Sequence, residues 1–149
     1  QVSEELLKGI EDNQKVLQVL APFDLVLAST LQRTHQTANL YGYEYEIDGL
    51  LDELDFGPFE GVPKNKLIEK YGDVWFENPK ELVLGESIQN LEKRIVMFLD
   101  KYQTYINILA FGHGSWIRAL ISYAQYGDIN QMNKIEVVNN ACITLGIET

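Results

Sequence analysis

Two short apolar runs, each followed by a polar turn and then a helical pattern, constrain the fold more than any other feature of this chain. Residues 23–28 (FDLVLA) precede a predicted helix over 31–41, and residues 106–111 (INILAF) precede a predicted helix over 115–126. Strands that are apolar on both faces are typical of parallel sheets covered by helices on both sides. The sequence therefore predicts an α/β fold of three layers, α/β/α, with a mostly parallel sheet. We expect these two strands to be parallel, and either adjacent or separated by one strand.

The other elements are predicted from the helical spacing of apolar residues, from capping residues and from glycines. Pro63 suits the first turn of a helix, and Ser87 can cap a longer one. Residues 49–61 are predicted to be an acidic loop and residues 73–84 to be irregular. We predict further helices over 4–20, 63–71 and 87–105, a weak strand over 43–47, and a closing strand over 137–147 with a candidate hairpin at Asn139–Asn140.

The chain is strongly acidic. It has 22 Asp and Glu against 12 Lys and Arg, which gives a formal net charge of -10. Such a surface repels nucleic acid and anionic membranes, so we expect neither as a partner. The length fits a single domain over residues 1–149, and no apolar run approaches the roughly 20 residues of a membrane span. The single cysteine, Cys142, favours a reducing, cytoplasmic compartment.

The turns after the two apolar strands are candidate binding sites for an anion. Ligands of such sheets lie outside the carboxyl ends of the strands, and each turn leads into a helix whose first N–H groups are free. The first turn adds Arg33, and the second adds His113 between two glycines, which let a ligand approach the backbone. Taken alone, Arg33 fits a solvated surface residue better than a ligand, and His113 fits a packed turn histidine equally well.

Glu53, His35 and Cys142 are the other side chains whose chemistry bears on function. Carboxylates in loops are usually only solvated, although a carboxyl group at Glu53 beside a phosphate could stay protonated and donate to a leaving oxygen. We interpret His35 as structural, because it points to a different helix face from Arg33. Cys142 alternates with Ile143 and Leu145 in the predicted closing strand, which favours a buried and inert thiol.

Several short segments, in order over nearly the whole chain, resemble the histidine phosphatase superfamily, which contains phosphoglycerate mutase. Residues 23–38 are similar to the family's strand followed by Ser, Leu, Arg and then Gln-Thr-Ala. Residues 51–61 resemble its acidic loop with Phe-Gly-x-x-Glu-Gly, and residues 109–118 resemble its second histidine motif. The remaining similar segments are residues 8–11, the Gly-Glu-Ser of 85–87, and 140–144. The resemblance implies a phosphoglycerate mutase-like fold.

By this resemblance, individual residues would take defined roles. Arg33 would bind the phosphoryl group, with His113 and Gly114 also contacting its oxygens. His113 would stabilise charge in the transition state, and Glu53 would be the general acid. Glu86 would organise the entrance or fix a helix end. No metal and no cofactor are implied, since His and Arg neutralise the charge. The expected partner is a small phosphorylated substrate, and the oligomeric state is left open.

The family's nucleophile is a histidine in an Arg-His-Gly motif at the end of its first strand, and this motif does not occur in the chain. The resemblance places that strand at the centre of the sheet and before Gln1, so we expect it upstream. The bare 149-residue chain, lacking the first strand, is expected to be inactive. With that segment, the expected activity is phosphomonoester hydrolysis through a phosphohistidine. The alternatives are mutase-type phosphoryl transfer and a catalytically inactive phosphoester-binding or regulatory relative.

Overall fold

Strands and helices alternate along the chain in the computed structural model, which describes residues 4–138 and 141–146. In these residues the strands are β1 Leu25–Ala28, β2 Glu46–Ile47 and β3 Ile108–Phe111. The α-helices are α1 Glu4–Leu20, α2 Gln32–Tyr41, α3 Lys64–Tyr71, α4 Asp73–Glu77, α5 Ile88–Lys101 and α6 Gly114–Tyr126. Short 3-10 turns cover Gly49–Leu51, Gly57–Phe59, Pro79–Glu81 and Met132–Lys134.

The strands form one parallel sheet in the order β2-β1-β3. β1 pairs with β3 along its whole length, from Leu25 opposite Ile108 to Ala28 opposite Phe111, and with β2 at its last two residues. This confirms the prediction that the two apolar strands are parallel, and it shows that they are adjacent. Within the part of the chain that the structure describes, β3 pairs with β1 along one edge and with no strand along the other.

The central strands are apolar on both faces because each face supports a separate core. Leu25 and Leu27 of β1 face a core to which α5 and α6 contribute, with Ile95 and Trp116 among its fully buried side chains. Successive strand residues point to opposite faces, so Ala28 belongs to the second core, which α1 and α2 supply. The predicted three-layer α/β/α arrangement is confirmed by this division.

Local signals fix where the longer helices begin and end. The Ser87 hydroxyl accepts a hydrogen bond from the N–H of Asn90 at 3.0 Å, so it caps α5 as predicted. Gly42 and Gly127 end α2 and α6 with φ of 83° and 71°, the left-handed conformation that favours glycine. None of the helices in the described residues is long and apolar enough to cross a membrane.

Two predictions from the sequence are wrong. The segment over 73–84 is not irregular throughout, because it contains α4, whose Trp75 side chain is buried. The predicted closing strand is not formed in residues 137–138 and 141–146, where no ladder hydrogen bonds exist and the Cys142 side chain is exposed instead of buried. Alternating side chains do not make a strand unless a neighbouring edge supplies hydrogen bonds. The candidate hairpin at Asn139–Asn140 lies outside the described residues.

Candidate active site

The carboxyl ends of β1 and β3 meet at one edge of the sheet and bring Ser29 and His113 together. Ser29 directly follows β1, and His113 is the residue before α6. Although 84 residues separate them in sequence, Ser29 Oγ lies 2.8 Å from His113 Nε2. The fully buried serine therefore fixes the imidazole at the sheet edge where ligands of α/β proteins bind.

The Ser29 hydroxyl also connects His113 to the first turn of α2. It accepts a hydrogen bond from the N–H of Leu31 at 3.1 Å and lies 2.9 Å from Thr34 Oγ1, whose own hydrogen reaches the Leu31 carbonyl at 2.8 Å. The single Ser29 hydrogen can therefore go either to Thr34 or to His113. In the first case His113 Nε2 donates to Ser29, and in the second it accepts, so the hydroxyl can serve either tautomer of the imidazole.

The environment of His113 favours its neutral form. Burial lowers the pKa of His113 below its usual value. The negative charges of Glu53 and Asp52 oppose this shift, and the positive charge of Arg33 adds to it. These charged groups come from two separate segments, the acidic loop and the first turn of α2.

Glu53 reaches the start of α6 from the acidic loop. Its carboxylate accepts hydrogen bonds from the N–H groups of Ser115 at 3.2 Å and Trp116 at 3.1 Å, and from its neighbour Leu54 at 2.9 Å. The sequence predicted that the first turn of α6 would be open to an anionic ligand. In the structure an internal carboxylate binds these helix N–H groups, which are the natural partners of a negative charge.

Arg33 and Gly114 border the same region. Arg33 is exposed in the first turn of α2, which lacks a side-chain cap, and its guanidinium makes no ion pair within the described residues. A cation at a helix N-terminus is electrostatically unfavourable unless an anion accompanies it. Gly114 opens α6, and a Cβ there would lie 3.3 Å from Arg118 Nη1, so the glycine leaves room for that guanidinium.

Two pairs of hydrogen bonds, one made by Asp52 and one by Arg94, hold the acidic loop in position. Asp52 accepts hydrogen bonds from the backbone N–H of Thr30 at 2.7 Å and from its hydroxyl at 2.6 Å, which ties the loop to the turn after β1. Arg94, on α5, donates to the carbonyls of Leu50 at 2.9 Å and Asp52 at 2.8 Å. Leu50 and Asp52 are thus held in place, and Glu53 is the residue that directly follows Asp52.

Arg94 is itself oriented by Glu86. Its Nε and Nη2 donate to the two Glu86 carboxylate oxygens at 2.8 and 2.9 Å, and Asn90 donates to the same carboxylate at 2.5 Å. Burial of Glu86 raises the pKa of its carboxyl, but the hydrogen bonds from Arg94 and Asn90 outweigh it and leave the pKa below its usual value. Glu86 therefore orients Arg94, which in turn holds the acidic loop. In the described residues no hydrogen bond or ion pair joins Glu86 to His113.

The Glu86 segment also packs directly on the acidic loop through two glycines. Gly57 has φ of 56°, and a Cβ there would lie 2.6 Å from the Gly85 backbone. A Cβ on Gly85 would lie 2.3 Å from Asp55 Oδ1, and the N–H groups of Gly85 and Glu86 donate to the Asp55 carbonyl at 3.0 and 2.9 Å. Only glycine permits this approach.

His35 has a structural role, as interpreted from the sequence. Its Nε2 donates to the Ser29 carbonyl at 2.7 Å, and its ring stacks on Tyr45 with centroids 5.1 Å apart. In the described residues, no group of three or more His, Cys, Asp or Glu side chains is arranged to hold a metal ion. Sequence reasoning missed Ser29, Asp52 and Arg94. Only Ser29 had a usable signal, since it follows an apolar strand at the edge where His113 was expected.

Two curated proteins to which this chain is similar are named as phosphatases. The chain is 31% identical over 109 residues to a Hydrogenobacter thermophilus protein provisionally named phosphoserine phosphatase 2, covering 66% of this chain and 54% of that protein. It is 30% identical over 131 residues to the uncharacterized phosphatase PhoE of Bacillus subtilis, covering 82% of this chain and 63% of the relative. The chain thus spans between half and two thirds of the length of these curated relatives.

The fold has close counterparts among solved structures. The alpha-ribazole phosphatase of Shigella flexneri superposes with a TM-score of 0.70 at 24% identity, covering 94% of this chain and 75% of that one. This likeness confirms the phosphoglycerate mutase-like α/β fold. The family model of the histidine phosphatase superfamily (branch 1) matches residues 7–148, almost the whole sequence. The chain therefore belongs to the histidine phosphatase superfamily.

Proposed function

We propose that the protein is a phosphomonoester hydrolase that transfers a phosphoryl group first to a histidine and then to water. The observation that carries the proposal is that Ser29 contacts His113 and that Glu53 binds the first turn of α6, both at the carboxyl ends of β1 and β3. Family membership and the phosphatase names of the relatives support hydrolysis as the reaction. The substrate is proposed to be a small phosphorylated molecule.

The nucleophile is proposed to be a histidine that precedes Gln1. The two histidines of the chain are poorly suited to this role, because His35 Nε2 is bound to a backbone carbonyl and His113 Nε2 is held by Ser29. One edge of β3 pairs with no strand among the described residues, and this supports the proposal, since a further strand on that edge would end beside His113. The Glu53 and His113 side chains would then flank its imidazole.

The remaining roles follow from the charges and hydrogen bonds of the site. Arg33 has no internal ion pair in the described residues, so its guanidinium is available for two phosphoryl oxygens. His113, positioned by Ser29, hydrogen-bonds a third oxygen and stabilises the charge of the transition state. Because the N–H groups that Glu53 occupies suit an anion, an entering phosphoryl oxygen competes for them and releases the Glu53 carboxyl toward the leaving group.

The proposed hydrolysis has two steps, and bonds and protons are conserved in both. In the first step a bond forms between phosphorus and the histidine nitrogen and the bond to the ester oxygen breaks. Glu53, which takes up a proton from water once the phosphoryl oxygen has displaced it from the α6 N–H groups, donates that proton to the ester oxygen. In the second step water attacks phosphorus, Glu53 accepts a proton from the water, and the phosphorus–nitrogen bond breaks to release inorganic phosphate. Glu53 returns to its protonated form, as required of a residue that acts as acid and then as base.

The proposal is tested by comparing two polypeptides. The full-length protein that contains this chain is expected to hydrolyse p-nitrophenyl phosphate and to form an acid-labile phosphoenzyme. The chain Gln1–Thr149 alone is expected to show no turnover. The phosphorylated residue is located by mass spectrometry at neutral or alkaline pH, where phosphohistidine survives.

Turnover by the 149-residue chain that is lost in His113→Ala would contradict the proposed nucleophile and assign the chemistry to His113. A full-length protein that binds vanadate at Arg33 and His113 but never turns over would instead be a phosphoester-binding relative. The matched control is His35→Asn, which removes the other histidine of this chain and is expected to leave the phosphoenzyme yield unchanged.

A further inference from the structure

A closed set of hydrogen bonds surrounds the Ser29 hydroxyl at the turn between β1 and α2. Ser29 Oγ lies 2.9 Å from Thr34 Oγ1, 2.8 Å from His113 Nε2 and 3.1 Å from the backbone nitrogen of Leu31. Thr34 Oγ1 in turn lies 2.8 Å from the Leu31 carbonyl oxygen. Ser29 is fully buried and Thr34 is 3% exposed, so bulk solvent offers these two hydroxyls no alternative partner.

The hydrogens available to these groups determine who donates to whom. The Leu31 carbonyl can only accept, so Thr34 must supply the hydrogen for that contact. Thr34 then has no hydrogen left for Ser29, and the contact between the two hydroxyls needs the hydrogen of Ser29. With that hydrogen used, the contact between Ser29 and His113 needs a hydrogen on Nε2 of the imidazole. All of these contacts are hydrogen bonds only in this arrangement.

The opposite arrangement, in which Ser29 donates to His113, gives up a buried hydrogen bond. Either the Thr34 hydrogen turns from the Leu31 carbonyl to Ser29, or the two hydroxyl oxygens face each other at 2.9 Å with no hydrogen between them. The Ser29 carbonyl, 3.4 Å from Thr34 Oγ1, is a second acceptor for the Thr34 hydrogen and leaves this count unchanged. Buried groups that lose a partner are unfavourable, so the geometry favours a hydrogen on His113 Nε2.

The second imidazole nitrogen, Nδ1, is left without a hydrogen in the neutral ring. It makes no hydrogen bond within the described residues and is not among their buried unpaired atoms, so it is accessible to a ligand. The titratable groups around His113 come from three elements: Glu53 and Asp52 from the acidic loop, Arg33 and His35 from α2, and Arg118 from α6.

We propose that Thr34 is a positioning residue, which accepts the Ser29 hydrogen, thereby keeps a hydrogen on His113 Nε2, and leaves Nδ1 as the base that meets the phosphoryl group. The inference rests on the proposed function, which places a phosphoryl group at His113. A phosphomonoester that enters as its monoanion carries one P–O–H group. That O–H bond breaks, its proton forms the Nδ1–H bond, and a charge-assisted hydrogen bond joins the resulting imidazolium to the dianion. No hydrogen of Ser29 or Thr34 has to move.

The tautomer of His113 tests the inference in the full-length protein before any ligand is added. Nitrogen chemical shifts distinguish a protonated ring nitrogen from a bare one, and the His113 signals are those that disappear in His113→Gln. At a pH where the ring is neutral, the parent is expected to carry hydrogen on Nε2 and none on Nδ1. Inorganic phosphate is then expected to bring a second proton to the ring, at Nδ1.

Variants of α2 assign the effect to Thr34. Thr34→Val removes the acceptor of the Ser29 hydrogen with little change of shape, so that hydrogen is expected to turn to Nε2 and the neutral ring to carry its own on Nδ1. Phosphate then meets a neutral donor, and its affinity is expected to fall about tenfold. Thr34→Ser is expected to restore the parent tautomer. Thr37→Val is the matched control, because Thr37 Oγ1 donates to the Arg33 carbonyl about one turn further along α2.

The outcomes separate this inference from the proposed function. Hydrogen on Nδ1 in the free parent would overturn the inference and leave the phosphoryl site untouched, and this measurement does not depend on the stability of any variant. The same tautomer in the parent and in Thr34→Val, or the same change in Thr34→Val and Thr37→Val, would also overturn the role of Thr34. Phosphate that leaves the His113 signals unchanged would overturn the proposed phosphoryl site, whichever tautomer the free protein shows.

Discussion

Glu53 and Glu86 lie on two segments that pack against each other, yet their carboxylates are held in different ways. Glu86 is bound by the side chains of Arg94 and Asn90, and its own side chain is only 12% exposed. Glu53 is bound by backbone N–H groups, two of them at the start of α6. A guanidinium paired with both oxygens fixes a carboxylate, whereas helix N–H groups accept any anion that arrives.

The difference supports the proposal that Glu53, and not Glu86, acts as the general acid. A general acid must move or exchange partners within each cycle, so partners that a substrate can replace are an advantage. Glu86 has no such freedom, because losing it would leave the buried charge of Arg94 unpaired. Glu86 therefore positions the acidic loop through Arg94, whereas Glu53, on the same loop, remains able to exchange its hydrogen-bond partners.

The largest expected effect comes from Glu53→Gln in the full-length protein. The amide oxygen can still accept from the N–H of Trp116, but the amide NH2 cannot accept from Ser115 and the side chain cannot deliver a proton. Hydrolysis of alkyl phosphates should therefore slow by roughly 10²–10⁴-fold, the usual worth of general acid catalysis. Formation of the phosphoenzyme from p-nitrophenyl phosphate should suffer much less, since that leaving group needs little protonation. Single-turnover kinetics with both substrates measure the difference.

Arg33→Ala is the control for this experiment, because it should slow both substrates alike through loss of phosphoryl binding. Equal losses for both leaving groups in Glu53→Gln would make Glu53 a binding or structural residue. The acid would then have to be sought at Asp52, Asp55 or Glu86, and the division of work between the two carboxylates would fail.

A smaller effect, on stability, is expected from Arg94→Met. The substitution leaves Glu86 without its cation and two loop carbonyls without a donor, so the free energy of unfolding should fall by about 2–4 kcal/mol. Lys66→Met breaks the exposed pair with Glu69 and should cost at most about 1 kcal/mol. Urea denaturation of both variants and the parent measures the contrast, and equal losses would show that Arg94 holds nothing.

The Glu86–Arg94 ion pair also predicts that the stability of the protein falls at acid pH. The folded-state pKa of Glu86 is below its usual value, so the carboxylate contributes stability above its unfolded pKa and loses it as the pH falls through the folded value. The parent should therefore lose stability on acidification below about pH 5, a range set by the unfolded pKa near 4.3. Arg94→Met should show a weaker dependence, because the hydrogen bonds that lower the pKa are gone.

The smallest predicted change is in the titration of His113. Since the charge of Glu53 raises the pKa of His113 and that of Arg33 lowers it, Glu53→Gln should lower this pKa further and Arg33→Ala should raise it. In the parent, burial keeps the pKa below its usual value, so stability should fall as the pH drops from near neutrality toward the folded-state pKa. NMR titration of the His113 imidazole in the parent and in each variant measures both shifts. Shifts in the same direction would show that the two charges do not flank His113.

Much of this arrangement could be predicted from the sequence because it follows from local patterns. Apolar runs followed by polar turns predicted the parallel pairing of β1 and β3, and parallel strands bring the residues that directly follow them, such as Ser29 and His113, to one edge. The attachment of Glu53 to α6 could not be predicted in the same way, because its contact with Trp116 joins residues 63 positions apart. Arg94 looked like any charged residue on a helix, and only the folded loop reveals its acceptors.

The closing strand was predicted wrongly for a related reason. The alternation around Cys142 is a real local preference, but a strand also needs a partner whose N–H and C=O groups are free and correctly aligned. In the described residues this segment meets no such edge. Sequence patterns report what each segment favours alone, and strand formation depends on what lies beside it.

The edge of β3 that has no partner strand in residues 4–138 and 141–146 affects how the chain behaves in solution. It carries the apolar sequence ILAF, and Ile106 just before it is 95% exposed. Exposed apolar edges are sites where a second molecule adds its own strand, which is how soluble chains begin to aggregate. Mutual repulsion from a net charge of -10 opposes this encounter, and added salt screens that repulsion. The 149-residue chain should therefore remain monomeric longest in dilute, low-salt solution, whereas concentrated or salted samples should aggregate first through this edge.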